Sequence, residues 1–355
     1  MTKHLIESIG VKVVKEKGEE IRKCLARLEL LNRDVLIKKE GEHLLIPVSR
    51  AIKERELEEL KAVYPQIEVV KTLFKAAPHR PKDLMEALKD LLPPYKLASL
   101  PGSFDIIGDI VVIEIPPELE GEEALIAEGI MRIHPHVKSI YKKAGAVEGE
   151  FRVRPLKFIG GIDKPVTVHK EHGCLFKVDL KEVYFSPRLA TERRRVVELV
   201  NSREVVVDLF SGVGPYAIQI AKFRGAKVYA VDINPRAYQL LLENIRVNKV
   251  QDRVEAVHGD ARQVASTILR GIADRVIMNH PSQALDFLDA ACLALKPEGG
   301  VIHVYTFAHA FEDIEDYLAR KIRDAGRRVY GILHRGFVRQ VAPREWQVVI
   351  DVKVR

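Results

Sequence analysis

Residues 205–217 read VVVDLFSGVGPYA: an apolar run, an acid, a turn holding Gly212 and Gly214, and the start of a helix. A strand that turns through glycines straight into a helix opens a βα unit, and a second strand, AKVYAVD, follows and ends on Asp232. Such units bury both faces only in a parallel sheet covered by helices. Glycines at the turn let a ligand approach the backbone, and an acid ending the next strand suits a ribose diol. Gly212-x-Gly214-x-x-Ala217 also fits a dinucleotide fingerprint, so the glycines alone leave the ligand open. Asp208 narrows the choice. A carboxylate four residues before the first glycine repels a pyrophosphate and suits a ligand carrying an ammonium and a sulfonium.

From about Arg194 the chain alternates strand and helix, with strands ending near Asp208, Asp232, Val257, Asn279 and Phe307. Asn234-Pro235 marks a helix start, with Asn as cap and Pro in the first turn. RRVYGILHRGFVRQ and EWQVVIDVKVR then read as an antiparallel hairpin at the sheet edge. This alternation specifies a doubly wound α/β sheet that takes ligands at its C-terminal strand ends. The polar residues fall there: Asp208, Ser211, Gly212 and Gly214 after the first strand, Asp232 and Asn234 after the second. His258, Gly259 and Asp260 follow the third, where a carboxylate can accept from an adenine amino group, and Asn279-His280-Pro281 follow the fourth.

A chain of 355 residues exceeds one comfortable domain. Residues 1–65 read as a small α+β domain, 66–100 as a Pro-rich linker carrying one helix, 101–190 as an α+β middle domain and 191–355 as the doubly wound domain. FDIIGDIVVIEI opens the middle domain as a strand. No apolar run is long enough to span a bilayer and no export signal is visible; three widely separated cysteines fit a reducing cytoplasm. The net charge of +7 is concentrated: residues 321–355 hold nine Lys/Arg against three Asp/Glu, and Arg188, Arg193, Arg194 and Arg195 precede the glycine-rich strand. Basic charge near a ligand site points to an anionic partner such as nucleic acid, against the alternative of solvated surface charge.

Together these strand ends resemble the class I S-adenosylmethionine-dependent methyltransferases, with a Rossmann-like sheet. FDIIGDI, GEFRVRP, YFSPRLATERRRV, DLFSGVGPYAI and VDINPRA are similar to segments of the archaeal and eukaryotic tRNA (guanine37-N1)-methyltransferases. The resemblance implies an α+β domain that binds RNA and supports catalysis, a small N-terminal domain touching the outer corner of tRNA, and a monomer that needs no metal. It implies methyl transfer from S-adenosylmethionine to a guanine in the anticodon loop. Guanine N1 carries a proton, so the reaction needs a base and a donor for the charge growing on O6. By the resemblance Glu192 is that base, Arg152 stabilises O6 and Asn279 holds the guanine edge. Tyr184 and Pro281 shape its pocket, with Arg188, Arg193 and Arg154 on the substrate. The cofactor would lie on Asp208, Phe210, Ser211, Gly212, Gly214, Asp232, Ile233, Asn234, Gly259, Asp260 and Ala261.

Each role has a plainer competitor. Glu192 could pair with Arg188 or Arg195 on one helix face, and Arg152 could be a sheet-surface cation, with Arg154, two residues on and facing the same side, the functional one instead. His280 departs from the family's small or apolar residue between Asn and Pro. Ser282 after Pro281 argues against N6-adenine enzymes, and no cysteine near the fourth strand serves a cytosine-C5 enzyme. A wyosine-pathway aminocarboxypropyl transferase shares the fold, a dual-substrate enzyme could also take a tricyclic base, and a non-catalytic tRNA-binding protein is the alternative of another class.

Overall fold

The computed structural model describes residues 5–77, 81–145, 149, 151, 153–309, 311–342 and 344–355. The chain forms two compact units, Met1–Lys82 and Asp83–Arg355. The first runs β1 (Leu5–Val14), α1 (Gly18–Arg27), β2 (Lys38–Glu40), β3 (His43–Val48), α2 (Glu54–Val63) and β4 (Glu68–Lys75). Its strands pair antiparallel in the order β2-β3-β1-β4. Ile21, Cys24 and Leu25 of α1 share one face and meet Val11 and Val13, which alternate on β1. The first sheet therefore extends into the segment read as linker. β4 pairs with β1 from Leu5↔Lys75 to Lys12↔Glu68. Val69 and Leu73 are exposed beside the inward Val70, Thr72 and Phe74, so apolar residues occupy both faces and no period-two signal marks this strand.

The second unit begins with α3 (Leu84–Leu88), α4 (Pro94–Ala98), β5 (Asp105–Ile107), β6 (Ile110–Ile113), α5 (Glu123–Ile133), β7 (Ser139–Lys143) and β8 (Leu156–Gly161). Its small sheet runs β5-β6-β7-β8. FDIIGDIVVIEI is two strands rather than one. The chain reverses at Gly108, whose φ of +58° suits glycine and whose missing Cβ would stand 2.6 Å from the Val168 carbonyl. β9 (Val166–Glu171) and β10 (Cys174–Asp179) form a hairpin through His172 and Gly173, both at positive φ.

The remainder is α6 (Ala190–Leu199), β11 (Val205–Asp208), α7 (Pro215–Arg224), β12 (Lys227–Asp232), α8 (Pro235–Asn248), β13 (Val254–His258), α9 (Ala261–Ser266), β14 (Arg275–Met278), α10 (Leu288–Ala294), β15 (Gly300–Ala308), α11 (Glu312–Asp324), β16 (Val329–Ala342) and β17 (Glu345–Val354). The large sheet has the order β13-β12-β11-β14-β15-β17-β16; the first five strands are parallel, and β17 and β16 complete it antiparallel. The strand order reverses between β11 and β14, and a crevice is expected above such a point.

The middle and doubly wound blocks share one core. Ile107, Ile110 and Tyr141 of the small sheet, Cys174, Phe176 and Val178 of the hairpin, and Tyr216 and Leu241 of the large layer form a single cluster. Asn244 of α8 accepts from the Lys177 amide (2.7 Å) and donates to its carbonyl (3.1 Å), and Asn248 does the same with Leu175 (3.0 and 2.6 Å). Removing either amide leaves a backbone group of β10 unpaired, at about 1–3 kcal/mol if it stays buried.

Candidate functional site

Above the reversal point lies a crevice of about 970 Å³, counted to its open mouth. Of the residues expected to hold a cofactor, Phe210, Gly212, Asp232, Ile233, Asn234, Gly259, Asp260 and Ala261 line it. Asp232 organises this half. Its carboxylate accepts from the Gly212 amide (2.6 Å) and the Asn234 amide (2.9 Å), so one side chain ties the first turn to the second. Burial raises its pKa, against the pull of those amides. The Asn234 and Asp260 side chains are helix caps, as the Asn-Pro signal foretold for the first. Asn234 accepts from the amides of Arg236 and Ala237, and Asp260 from those of Arg262 and Gln263.

Asp208, Ser211 and Gly214 are not in the crevice wall; the first two are buried directly behind it. Gly214, at φ +87°, caps α7, and a Cβ there would lie 2.4 Å from Leu241, so its role is helix packing rather than ligand approach. Asp208 is fully buried with neither carboxylate oxygen hydrogen-bonded, and the Ser211 hydroxyl is also unpartnered. Burial pushes the Asp208 carboxyl up to about 8; the nearby Phe210 amide opposes this without meeting either oxygen in hydrogen-bond geometry, and the Asp232 charge adds to it. Buried acceptors without donors are uncommon in native proteins. A ligand ammonium would give this carboxylate the partner that the chain withholds, and the site fits S-adenosylmethionine on that ground.

The other half of the crevice follows β14, β15, β17 and β16. Asn279 and Pro281 line it with Tyr184, as expected. The Asn279 Oδ1 is buried and accepts nothing. His280 also lines the wall, its ring centroid 5.0 Å from that of Phe210. Phe307, at a strand end read from the sequence, completes this end with Phe151, Gln347 and Arg339, which were not legible there. Arg339 is the one Lys or Arg among the described lining residues; it donates to Gln347 Oε1 (2.9 Å) and to the Tyr184 hydroxyl (3.2 Å).

Glu192 lies one turn beyond Leu189, which lines the crevice, but is not itself a lining residue. Its carboxylate is held by Arg195 (2.8 and 2.7 Å) and accepts from the Tyr305 hydroxyl (2.7 Å). Tyr305 and Phe307 alternate on one face of β15, which puts this contact a layer below the crevice floor, roughly 7 Å down the strand. The pairing with Arg195 foreseen as the plainer role is thus present. Arg152 lies outside the described residues. Arg154 donates to the Gly145 carbonyl (3.1 Å) and is absent from the lining.

Each arginine of the cluster has a carboxylate partner, buried for Arg193 and exposed for Arg188 and Arg194. Arg193 is 1% exposed, clasps Glu171 (2.7 and 2.5 Å) and donates to the Ser186 carbonyl. It holds β9 to α6 and is no substrate ligand. Arg188 pairs with Asp105 (2.6 Å), Arg194 with Glu198 (2.7 Å), and Arg195 with Glu192 and Asp351. Partners within the chain also engage some of the nine C-terminal basic residues: Arg327 binds the carbonyls of 295–297, Arg335 pairs with Glu315, and Arg355 stacks on Tyr330. Sequence counting cannot see partners this distant, so the crevice itself carries far less positive charge than the chain total implies.

Among the described residues no group of His, Cys, Asp and Glu is placed to hold a metal ion, and no helix is long and apolar enough to cross a membrane. Residues 167–330 match the model of the TRM5/TYW2 methyltransferase domain, 84–164 that of the TYW2 N-terminal domain and 10–56 that of the tRNA methyltransferase 5 N-terminal domain. The chain is 39% identical over 351 residues to the tRNA (guanine(37)-N(1))-methyltransferase Trm5b of Pyrococcus abyssi, covering 98% of this chain and 99% of that one. It is 32% identical over 278 residues, 76% of this chain and 96% of the relative, to the tRNA(Phe) (4-demethylwyosine(37)-C(7)) aminocarboxypropyltransferase of Pyrococcus horikoshii. Among solved structures, the complex of aTrm5 with tRNALeu superposes with a TM-score of 0.69 at 34% identity, over 97% of this chain and 99% of that one. Methanocaldococcus jannaschii TYW2 in complex with AdoMet gives 0.56 at 29% identity, over 71% of this chain and 99% of that one.

Proposed function

The chain belongs to the TRM5/TYW2 methyltransferase family, and we propose that Glu192 is the general base and Asn279 the base-edge acceptor of its reaction. It is a tRNA methyltransferase that moves a methyl group from S-adenosylmethionine to N1 of guanine 37. The aminocarboxypropyl relative matches less of the chain and at lower identity.

The unpartnered Asn279 Oδ1 in the crevice carries the assignment of the base edge. Guanine presents two donors there, N1–H and the exocyclic amino group; Asn279 accepts from the amino group, and Glu192 takes the N1 proton once it leaves Arg195. Tyr184, Pro281 and Phe307 wall the base, and Arg152 is assigned to O6 from its place in GEFRVRP. Asp208, Asp232 and Asp260 hold the cofactor's ammonium, ribose and adenine. When bound, S-adenosylmethionine supplies an electrophilic methyl group on a sulfonium. The first unit touches the outer corner of the tRNA, and the protein works as a monomer in the cytoplasm.

Methyl transfer by Glu192→Gln, compared with the parent on tRNA bearing G or A at position 37 and on an anticodon stem-loop, tests this reading. We expect a loss of about 10²-fold or more with cofactor binding kept, product only from G37, and a slower parent rate on the stem-loop. Full turnover by Glu192→Gln removes the base assignment; equal parent rates on tRNA and stem-loop remove the outer-corner contact.

A further inference from the structure

A polar chain runs under the crevice. Arg275 donates to Glu204 (2.8 Å) and lies 2.8 Å from His303 Nε2; His303 Nδ1 lies 2.6 Å from Asp351 Oδ1. Arg195 donates to the other Asp351 oxygen (2.7 Å) and clasps Glu192, which accepts from Tyr305; the Tyr216 and Tyr305 hydroxyls lie 3.0 Å apart. Asp351 is 2% exposed and His303 wholly buried. Glu192 thus faces Arg195 on its own helix and Tyr305 on β15, with Tyr216 of α7 beyond that tyrosine, and Asp351 of β17 and His303 of β15 beyond Arg195.

The charges of this chain do not cancel. Arg195 and Arg275 are positive, Glu192, Asp351 and Glu204 negative, and burial holds the His303 pKa below its ordinary value despite Asp351. One negative charge is left over, and a proton arriving on Glu192 removes it. Were Arg195 paired to Glu192 alone, that proton would leave its half-buried guanidinium without a counter-ion. Asp351 prevents this, because Arg195 keeps a counter-ion whichever state Glu192 is in.

We propose that Asp351 is a positioning residue for methyl transfer: by compensating Arg195 from its far side, it leaves Glu192 able to accept the N1 proton of guanine. The N1–H bond breaks, its electron pair stays on the base, and the new O–H bond forms on Glu192. This rests on the reading of Glu192 as the base.

Single-turnover methyl transfer across about pH 5 to 9 separates the possibilities. In Asp351→Asn, Arg195 binds Glu192 unopposed, and the acid limb of the rate profile moves down by about one unit, the size of a neighbouring charge's effect. Asp351→Glu restores the limb. Arg195→Gln removes the shared cation and moves the limb up, which keeps the test open should Asp351→Asn fold poorly. Limbs that superimpose on the parent after scaling, in either charge-removing variant, overturn the proposal. Glu192→Gln run alongside distinguishes the failures: an inactive Glu192→Gln with unmoved limbs sinks the role of Asp351 alone, whereas full turnover sinks the base reading and this proposal with it.

Discussion

Replacing Asp208 by Asn removes a carboxyl that must take up a proton to be buried without a partner at neutral pH, so the cofactor-free protein becomes more stable while its ligand site is damaged. The folded-state value of about 8 lies above an unfolded value near 3.9. The contribution of Asp208 to stability is therefore fully present below about pH 4 and is lost as pH rises through about 8. Each unit between those values costs about 1.4 kcal/mol, which makes the penalty about 4 kcal/mol at pH 7. Asn carries none of it. Melting of cofactor-stripped parent and Asp208→Asn, followed from about pH 4 to 8.5, should show curves that coincide at the acid end and then diverge. The variant ends about 10 °C higher at neutral pH, taking 2–4 °C per kcal/mol for a unit of this size. Calorimetry supplies a second readout. If the ammonium of S-adenosylmethionine meets Asp208, binding at pH 7 ionises the carboxyl and releases close to one proton, visible as a dependence of the binding heat on buffer ionisation enthalpy. A stability gap that does not change with pH, or cofactor binding that releases no proton, would refute the reasoning.

The remaining predictions concern the arginines. Arg193→Met strands the buried Glu171 carboxylate, which also accepts from Gln219, and should lower stability by about 3–5 kcal/mol; an unchanged melting temperature with weakened tRNA binding would return Arg193 to the substrate. Arg339→Ala should weaken tRNA binding and reduce the slope of log affinity against log salt by about one, leaving cofactor affinity as it was. An unaltered slope would confine Arg339 to its contacts with Tyr184 and Gln347.

What could be read from the sequence was what local chemistry dictates. VVVDLFSGVGPYA names its strand, turn and helix because each step depends on neighbours a few residues away, and Asn234-Pro235 names its cap for the same reason. Asp232, Asp260 and Asn279 were found because ligands gather where parallel strands end. Pairing across the chain was not legible. Arg195 and Asp351 are 156 positions apart, and Arg188 and Asp105 are 83 apart, so a run of arginines shows in the sequence while the carboxylates that engage Arg193 and Arg195 inside the fold do not. Arg339 and Gln347 reach the crevice only because β15, β17 and β16 lie side by side. The strand at 68–75 escaped notice because its outward face is as apolar as its inward one.

The placement of β17 has a consequence for folding. Although it follows β16 in the chain, it is not at the rim of the large sheet but between β15 and β16, buried along most of its length. Until residues 345–354 pair, β15 keeps an open flank and β16 has no neighbour in the sheet. Pairing of β17 with β15 joins the β16–β17 hairpin to the rest of the sheet, and the same contact brings Asp351 to Arg195 and Gln347 to the crevice. A chain cut before residue 345 would hold the glycine turn and its aspartates yet lack Gln347 in the crevice and the Asp351 counter-ion of Arg195, and would leave β15 and β16 as open edges.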